Sequence, residues 1–127
     1  MSSKYDSGYI YQIKCLTTDK VYIGSSYEPK HTRLQKHLTD MKGYLCMSDN
    51  LHRNYRESFQ VLMNNNYVID TYDYPCDSKE ELLEIERLYI IKSRMDPNID
   101  IVNTMLPINA NYSEDDLDAC LDSLPSF

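Results

Sequence analysis

No run of apolar residues in this chain approaches the length of a bilayer span, and the opening residues Met1-Ser2-Ser3-Lys4-Tyr5-Asp6 lack the apolar core of a signal peptide. An intracellular protein with no membrane partner is the expectation. Paired cysteines are missing as well. Cys15, Cys46, Cys76 and Cys120 lie far apart, with no Cys-x-x-Cys and no histidine at zinc-site spacing, so they read as free thiols of a reducing compartment. Bases are in short supply: 13 lysines and arginines stand against 20 acids, a formal net charge of -7. That balance argues against a nucleic-acid partner, because affinity for a phosphate backbone comes mainly from lysine and arginine. Finally, 127 residues leave room for one domain and one core, without a separate DNA-binding domain of ordinary size.

The placement of the charges weakens the objection to nucleic acid. The segment from Ser113 carries Glu114, Asp115, Asp116, Asp118 and Asp122 and no base, and removing these five acids from -7 leaves -2 for the body. Lys14, Lys20, Lys30, Arg33, Lys36, Lys42, Arg53 and Arg56 crowd the first half, as do all three histidines. A nearly neutral body with one basic side is compatible with DNA, although solvated surface charge gives similar counts.

What the chain does contain begins with two β-prone runs, Gly8 to Cys15 and Lys20 to Ser26, around the turn-forming cluster Thr17-Thr18-Asp19-Lys20. This is the pattern of an antiparallel hairpin. A four-residue turn from Thr17 to Lys20 sets Leu16 opposite Val21 and puts Tyr11 and Tyr22 on one face, because paired residues share a side. A first helix is expected from Glu28-Pro29 to Lys42-Gly43, with Leu34, Leu38 and Met41 as its apolar stripe and Arg33 and His37 as a second row beside it. Tyr44 to Ser48 then read as a loop. A second helix is expected from Ser48 or Asp49 through Leu62, with the stretch from Ser58 to Met63 open to an extended reading. Asn64-Asn65-Asn66 breaks it, and Tyr67 to Tyr74 reads as a third strand.

Ser78-Lys79-Glu80-Glu81 has the spacing of a capping box and opens a helix with Leu82, Ile85 and Tyr89 as its core stripe. Glu86 falls in the middle of that apolar surface. A carboxylate among such neighbours loses hydration unless a cation or strong donors compensate, and that cost is the physical reason to suspect a ligand there. A salt bridge to Arg33 or another base is the plainer alternative. The last segment has a cap at Ser113 and leucines at 117, 121 and 124. It reads as a short amphipathic helix that docks on the domain, or as a segment that orders only when a protein partner takes up its leucine face.

Tyr9-Ile10-Tyr11 and Tyr22-Ile23-Gly24 resemble the two name-giving motifs of the GIY-YIG nuclease superfamily, with Tyr9 where the first glycine is expected and Gly8 just before it. Arg33-x-x-x-His37 resembles the arginine and histidine of the helix after the second motif. Glu86-Arg87-Leu88-Tyr89-Ile90 resembles the helix that provides a metal-binding glutamate. Asn103 matches the asparagine that follows that helix, with Asn98 in reserve. The resemblance covers residues 8–106, flanked by an N-terminal tail (1–7) and an acidic C-terminal tail (107–127). It implies an α/β (α+β) fold, a three-stranded antiparallel sheet flanked by helices, in a small stand-alone enzyme of the phage or large-DNA-virus type.

The same resemblance implies phosphodiester hydrolysis in DNA with a single divalent metal, Mg²⁺ with Mn²⁺ as the alternative, held by Glu86. Arg33 would neutralise charge on the phosphoryl oxygens, and Tyr11 or His37 would orient or deprotonate the attacking water. Tyr22 and Asn103 would position water and phosphate. Lys20, Arg53 and Arg56 are further candidates for substrate contact. A non-catalytic DNA-binding or regulatory protein that keeps the nuclease fold is the competing reading, favoured by the acidic charge.

Overall fold

The computed structural model describes residues 4–46, 57–103 and 114–125. After a 3₁₀ turn at Lys4–Ser7 come β1 (Tyr9–Cys15), β2 (Lys20–Ser26) and helix α1 (Lys30–Cys46). A one-turn helix α2 (Phe59–Leu62), β3 (Tyr67–Asp73), α3 (Lys79–Met95), β4 (Asp100–Ile101) and α4 (Glu114–Ser123) complete the order. The strands form a mixed sheet in the order β3-β1-β2-β4, with β1 antiparallel to both neighbours and β4 parallel to β2. The expected α+β class holds, but the sheet has four strands, not three. The fourth is two residues long and lacks the alternating apolar signature that makes a longer strand legible.

Hairpin register differs from the simplest expectation by a shift that preserves its consequence. Lys14, not Leu16, lies opposite Val21, because Asp19 takes a left-handed φ of 64° and donates its N–H to the Cys15 carbonyl at 2.9 Å. Leu16 is drawn out of the ladder, and its N–H donates to the Asn66 carbonyl at 2.8 Å. The slip is by an even number of positions, so no side chain changes face. Tyr9, Tyr11 and Ile13 therefore share one face with Tyr22 and Gly24, while Ile10, Val21 and Ile23 occupy the other.

Each face has its own core. Leu34, Leu38 and Met41 of α1 and Val61 and Leu62 of α2 pack on the tyrosine face. Leu82, Leu88, Tyr89 and Ile90 of α3, with Leu121 and Leu124, cover the opposite face. One helix boundary needs correction. α1 runs through Gly43 to Cys46, since Gly43 does not adopt the left-handed conformation by which glycine ends helices. Phe59–Leu62 is helical, in agreement with the end of the expected second helix and against its extended alternative, and residues 47–56 of that segment lie outside the described residues.

The start of α3 follows its capping box: the Ser78 hydroxyl accepts from the Glu81 N–H at 3.2 Å, and the Glu81 carboxylate accepts from the Asp77 N–H at 3.0 Å. The final helix is docked. Leu117, Cys120, Leu121 and Leu124 join the α3-side core, the Tyr89 hydroxyl donates to the Pro125 carbonyl at 2.7 Å, and Lys92 Nζ donates to the Leu124 carbonyl at 3.0 Å. The leucine face proposed for a partner is thus turned onto the domain.

Candidate active site

The site lies along the outer edge of β2. Beyond β4, Val102 donates its N–H to the Val21 carbonyl at 2.8 Å. Asn103 then extends the pairing with its side chain: Oδ1 accepts from the Ile23 N–H at 2.9 Å, and Nδ2 donates to the Ile23 carbonyl at 2.8 Å. From Gly24 to Ser26 no strand pairs with this edge among the described residues. Asn103 thus fixes the backbone between Tyr22 and Gly24. Asn98, the reserve, is an exposed turn residue whose N–H donates to Asp96 Oδ1.

On the tyrosine face, the Tyr11 hydroxyl lies 2.7 Å from His37 Nε2 and accepts from Arg33 Nε at 3.3 Å. His37 Nδ1 is 2.9 Å from Ser58 Oγ, in a fully buried position. The roles of the two ring nitrogens depend on the tautomer: with the proton on Nδ1 facing Ser58, Nε2 accepts from the phenol. Tyr22 packs against both partners, with ring centroids 6.3 Å from Tyr11 and 5.7 Å from His37. Burial raises the Tyr11 pKa above the ordinary phenol value, and the Tyr22 phenol and Glu86 carboxylate add to the shift, while Arg33 opposes it. Loss of this proton to bulk water near neutrality is therefore disfavoured, and His37 Nε2 lies within hydrogen-bond reach of the phenol.

Gly24 makes this arrangement possible. It lies opposite Tyr11 in the β1–β2 ladder, and a Cβ there would overlap the phenolic oxygen and its ring carbon. Gly8 answers a different demand, since a Cβ there would stand 2.8 Å and 2.9 Å from the Tyr74 and Tyr5 carbonyl oxygens. Tyr9, at the position expected for the glycine, is buried on the tyrosine face, where burial raises its pKa and the Ser26 side chain opposes the shift.

Glu86 arrives from the other side. α3 packs on the face opposite the tyrosines, so the acid and the tyrosine set approach the sheet from different faces. Ser25, which alternation turns toward α3, donates its hydroxyl to Glu86 Oε1 at 2.6 Å. Desolvation raises the Glu86 pKa above the usual carboxylate range, opposed by the Ser25 hydroxyl, the charge of Arg33 and the Ser25 N–H. Arg33 acts electrostatically on both Glu86 and Tyr11, so it links the two sides. Among the described residues no ion pair joins Glu86 to Arg33.

Glu86, with the Ser25 hydroxyl beside it, is the residue that could hold an ion. No group of three or more His, Cys, Asp or Glu converges among the described residues, which does not suit a zinc or calcium cage. One carboxylate beside a serine hydroxyl suits a hard cation such as Mg²⁺, which keeps several waters and binds substrate phosphate.

The structure brings Tyr11, Tyr22, Arg33 and His37 into contact, with Glu86 coupled to Arg33 and Tyr11 through charge and Asn103 bonded to the Ile23 backbone of the adjoining strand. It does not bring Lys20 to them: Lys20 begins β2, four residues from Gly24 or about 13 Å along the strand. Arg53 and Arg56 lie outside the described residues. Ser25 and Ser58 were not named from sequence. Ser25 was within reach of the alternation pattern, but nothing marked Ser58, whose segment had no settled conformation.

No protein-family model matches the chain, and no curated protein matches it. Among solved structures, it is similar to the catalytic domain of the homing endonuclease I-TevI, at 25% sequence identity over 74% of this chain and 96% of that one, with a TM-score of 0.49. No helix among the described residues is long and apolar enough to cross a membrane.

Proposed function

We propose that this chain is a DNA endonuclease that hydrolyses phosphodiester bonds with one divalent metal ion, Mg²⁺ in preference to Mn²⁺, held by Glu86. The observation that carries this reading is a desolvated carboxylate with no Arg33 ion pair, an arginine whose charge acts on it, and a phenol that bonds both that arginine and an imidazole. The matching motifs around Tyr11, Tyr22, Arg33, Glu86 and Asn103 support the same conclusion.

Each residue has a task that its geometry suits. Arg33 binds the scissile phosphate and offsets charge on its non-bridging oxygens, a role for a fixed guanidinium fork. The Tyr11 oxygen accepts a proton from the attacking water while its own proton passes to His37 Nε2, 2.7 Å away. Ser58 then accepts from Nδ1 of the resulting imidazolium. The new bond forms between water oxygen and phosphorus, the bond from phosphorus to the 3′ oxygen breaks, and that oxygen takes its proton from solvent. Glu86 would hold the divalent ion, which when bound would supply Lewis-acid polarisation of the phosphate and offset charge on the departing oxygen. Tyr22 holds the Tyr11–His37 pair by ring contact, and Asn103 holds the backbone from which Tyr22 and Ser25 project.

End-labelled duplex DNA incubated with protein and Mg²⁺ tests this directly. Products should carry 5′-phosphate and 3′-hydroxyl ends, and Tyr11→Phe and Arg33→Ala should each lower the rate about 10²- to 10⁴-fold with the fold retained. Binding without cleavage under Mg²⁺ and Mn²⁺ would favour the non-catalytic DNA-binding reading.

A further inference from the structure

Beside the Ser25–Glu86 contact opens a cleft of about 280 Å³, between the N-terminal 3₁₀ turn, the β2–α1 junction and the first turns of α3. Its walls differ from the rest of this acidic chain. Lys4, Arg33 and Lys79 contribute three cations, and Tyr5 and Tyr27 contribute two aromatic rings. The acid among its lining residues, Glu28, is already ion-paired: Lys36 Nζ lies 2.7 Å from one of its oxygens and 2.8 Å from the other. The cations are therefore not answered by an unpaired carboxylate in that wall.

The aromatic wall is organised. Tyr5 and Tyr27 meet edge to face with centroids 5.2 Å apart, and Lys4 Nζ stands 5.3 Å and 5.0 Å from the two ring centroids. Lys4 is thereby held at the cleft, and Tyr27 keeps 38% of its surface exposed. A second cavity, lined by Tyr11 and His37, shares Arg33 as a wall, so Arg33 stands where the two meet. A phosphate on Arg33 would have the Tyr11–His37 pair in one cavity and the adjoining nucleotide in the other.

We propose that this cleft is a nucleotide subsite, binding the nucleotide next to the scissile phosphate by a base or sugar against Tyr27 and by a flanking phosphate between Lys4 and Lys79. This rests on the nuclease reading and extends it. Cations that hold backbone and an aromatic ring that takes a base at any sequence are the parts of a sequence-tolerant single-strand grip. The flanking phosphate and the base contribute separately, and salt distinguishes them.

The test is DNA affinity as a function of salt, measured by fluorescence anisotropy on an oligonucleotide with the wild-type protein in EDTA. Lys4→Ala and Lys79→Ala should each reduce the slope of log K against log salt by about 0.7–0.9, the counterion release of one phosphate contact. Tyr27→Ala should weaken binding about tenfold with the slope unchanged, and Tyr27→Phe should restore it. Lys14→Ala, in a separate cavity near the far end of β1, should change neither quantity. Cleavage by wild type with binding and slope unaffected in all three cleft variants overturns the subsite and leaves the nuclease reading intact. No binding and no cleavage by wild type overturns both.

Discussion

Gly24 faces Tyr11 across the hairpin so closely that a methyl group on its α-carbon would occupy the space of the phenol. The backbone φ of Gly24 is not positive, so its glycine is a requirement of space and not of conformation. Gly24→Ala should cost about 1–3 kcal/mol and displace the phenol from His37. Combined with Tyr11→Leu, which removes the ring, the alanine should be tolerated. A double-mutant cycle in urea should show coupling of at least about 0.5 kcal/mol, and additive losses would contradict the steric account.

Asn103 acts as one more residue of strand pairing, supplied by a side chain. Asn103→Ala leaves the Ile23 N–H and carbonyl without partners in a buried place, at a cost of about 2–4 kcal/mol. Amide exchange at Ile23 should accelerate more than at Gln12, its neighbour on β1. Uniform acceleration across the sheet would mean that Asn103 stabilises the fold without a particular hold on this edge.

How much of this was legible in the sequence depended on how local each cause is. The hairpin, the shared face of Tyr11 and Tyr22, the capping box at Ser78 and the isolation of Glu86 all follow from spacing within about ten residues. β4 and the docking of Asn103 on Ile23 are contacts across 80 residues, with no periodic signal. Glu86 shows both sides. Its apolar neighbours marked it as a ligand candidate, but its face of the sheet depended on which side α3 packs. The Ser58–His37 contact required two elements that meet only in the folded chain.

Ser58 should influence activity through the proton position on His37. In Ser58→Ala the imidazolium loses the Ser58 oxygen beside Nδ1, so the acidic limb of the rate–pH profile should move to lower pH, with the rate reduced about tenfold or more. Ser58→Thr keeps the hydroxyl and should keep the limb in place. A drop in thermal stability with the limb unmoved would assign Ser58 a packing role only.

Glu86 should be a liability to the metal-free fold. Its pKa is raised from 4.5 in the folded chain, chiefly by desolvation, so the folded state holds the proton more tightly than the unfolded one. Stability of the metal-free protein then falls as pH rises from the ordinary carboxyl range through the raised value. Glu86→Gln removes the ionisable group, and in EDTA at neutral pH its Tm should exceed that of wild type. Below about pH 4 the difference should vanish. Mg²⁺ should raise the Tm of wild type and leave that of the variant unchanged.

The most direct measurement is conversion of supercoiled plasmid by the wild-type protein and by Glu86→Gln, each purified identically and assayed with Mg²⁺ and with EDTA. Wild type with Mg²⁺ should nick or linearise the plasmid, while EDTA or the substitution should leave it supercoiled. Equal cutting by both proteins, or intact plasmid with wild type and Mg²⁺, would contradict the assignment of Glu86 as the metal ligand of a nuclease.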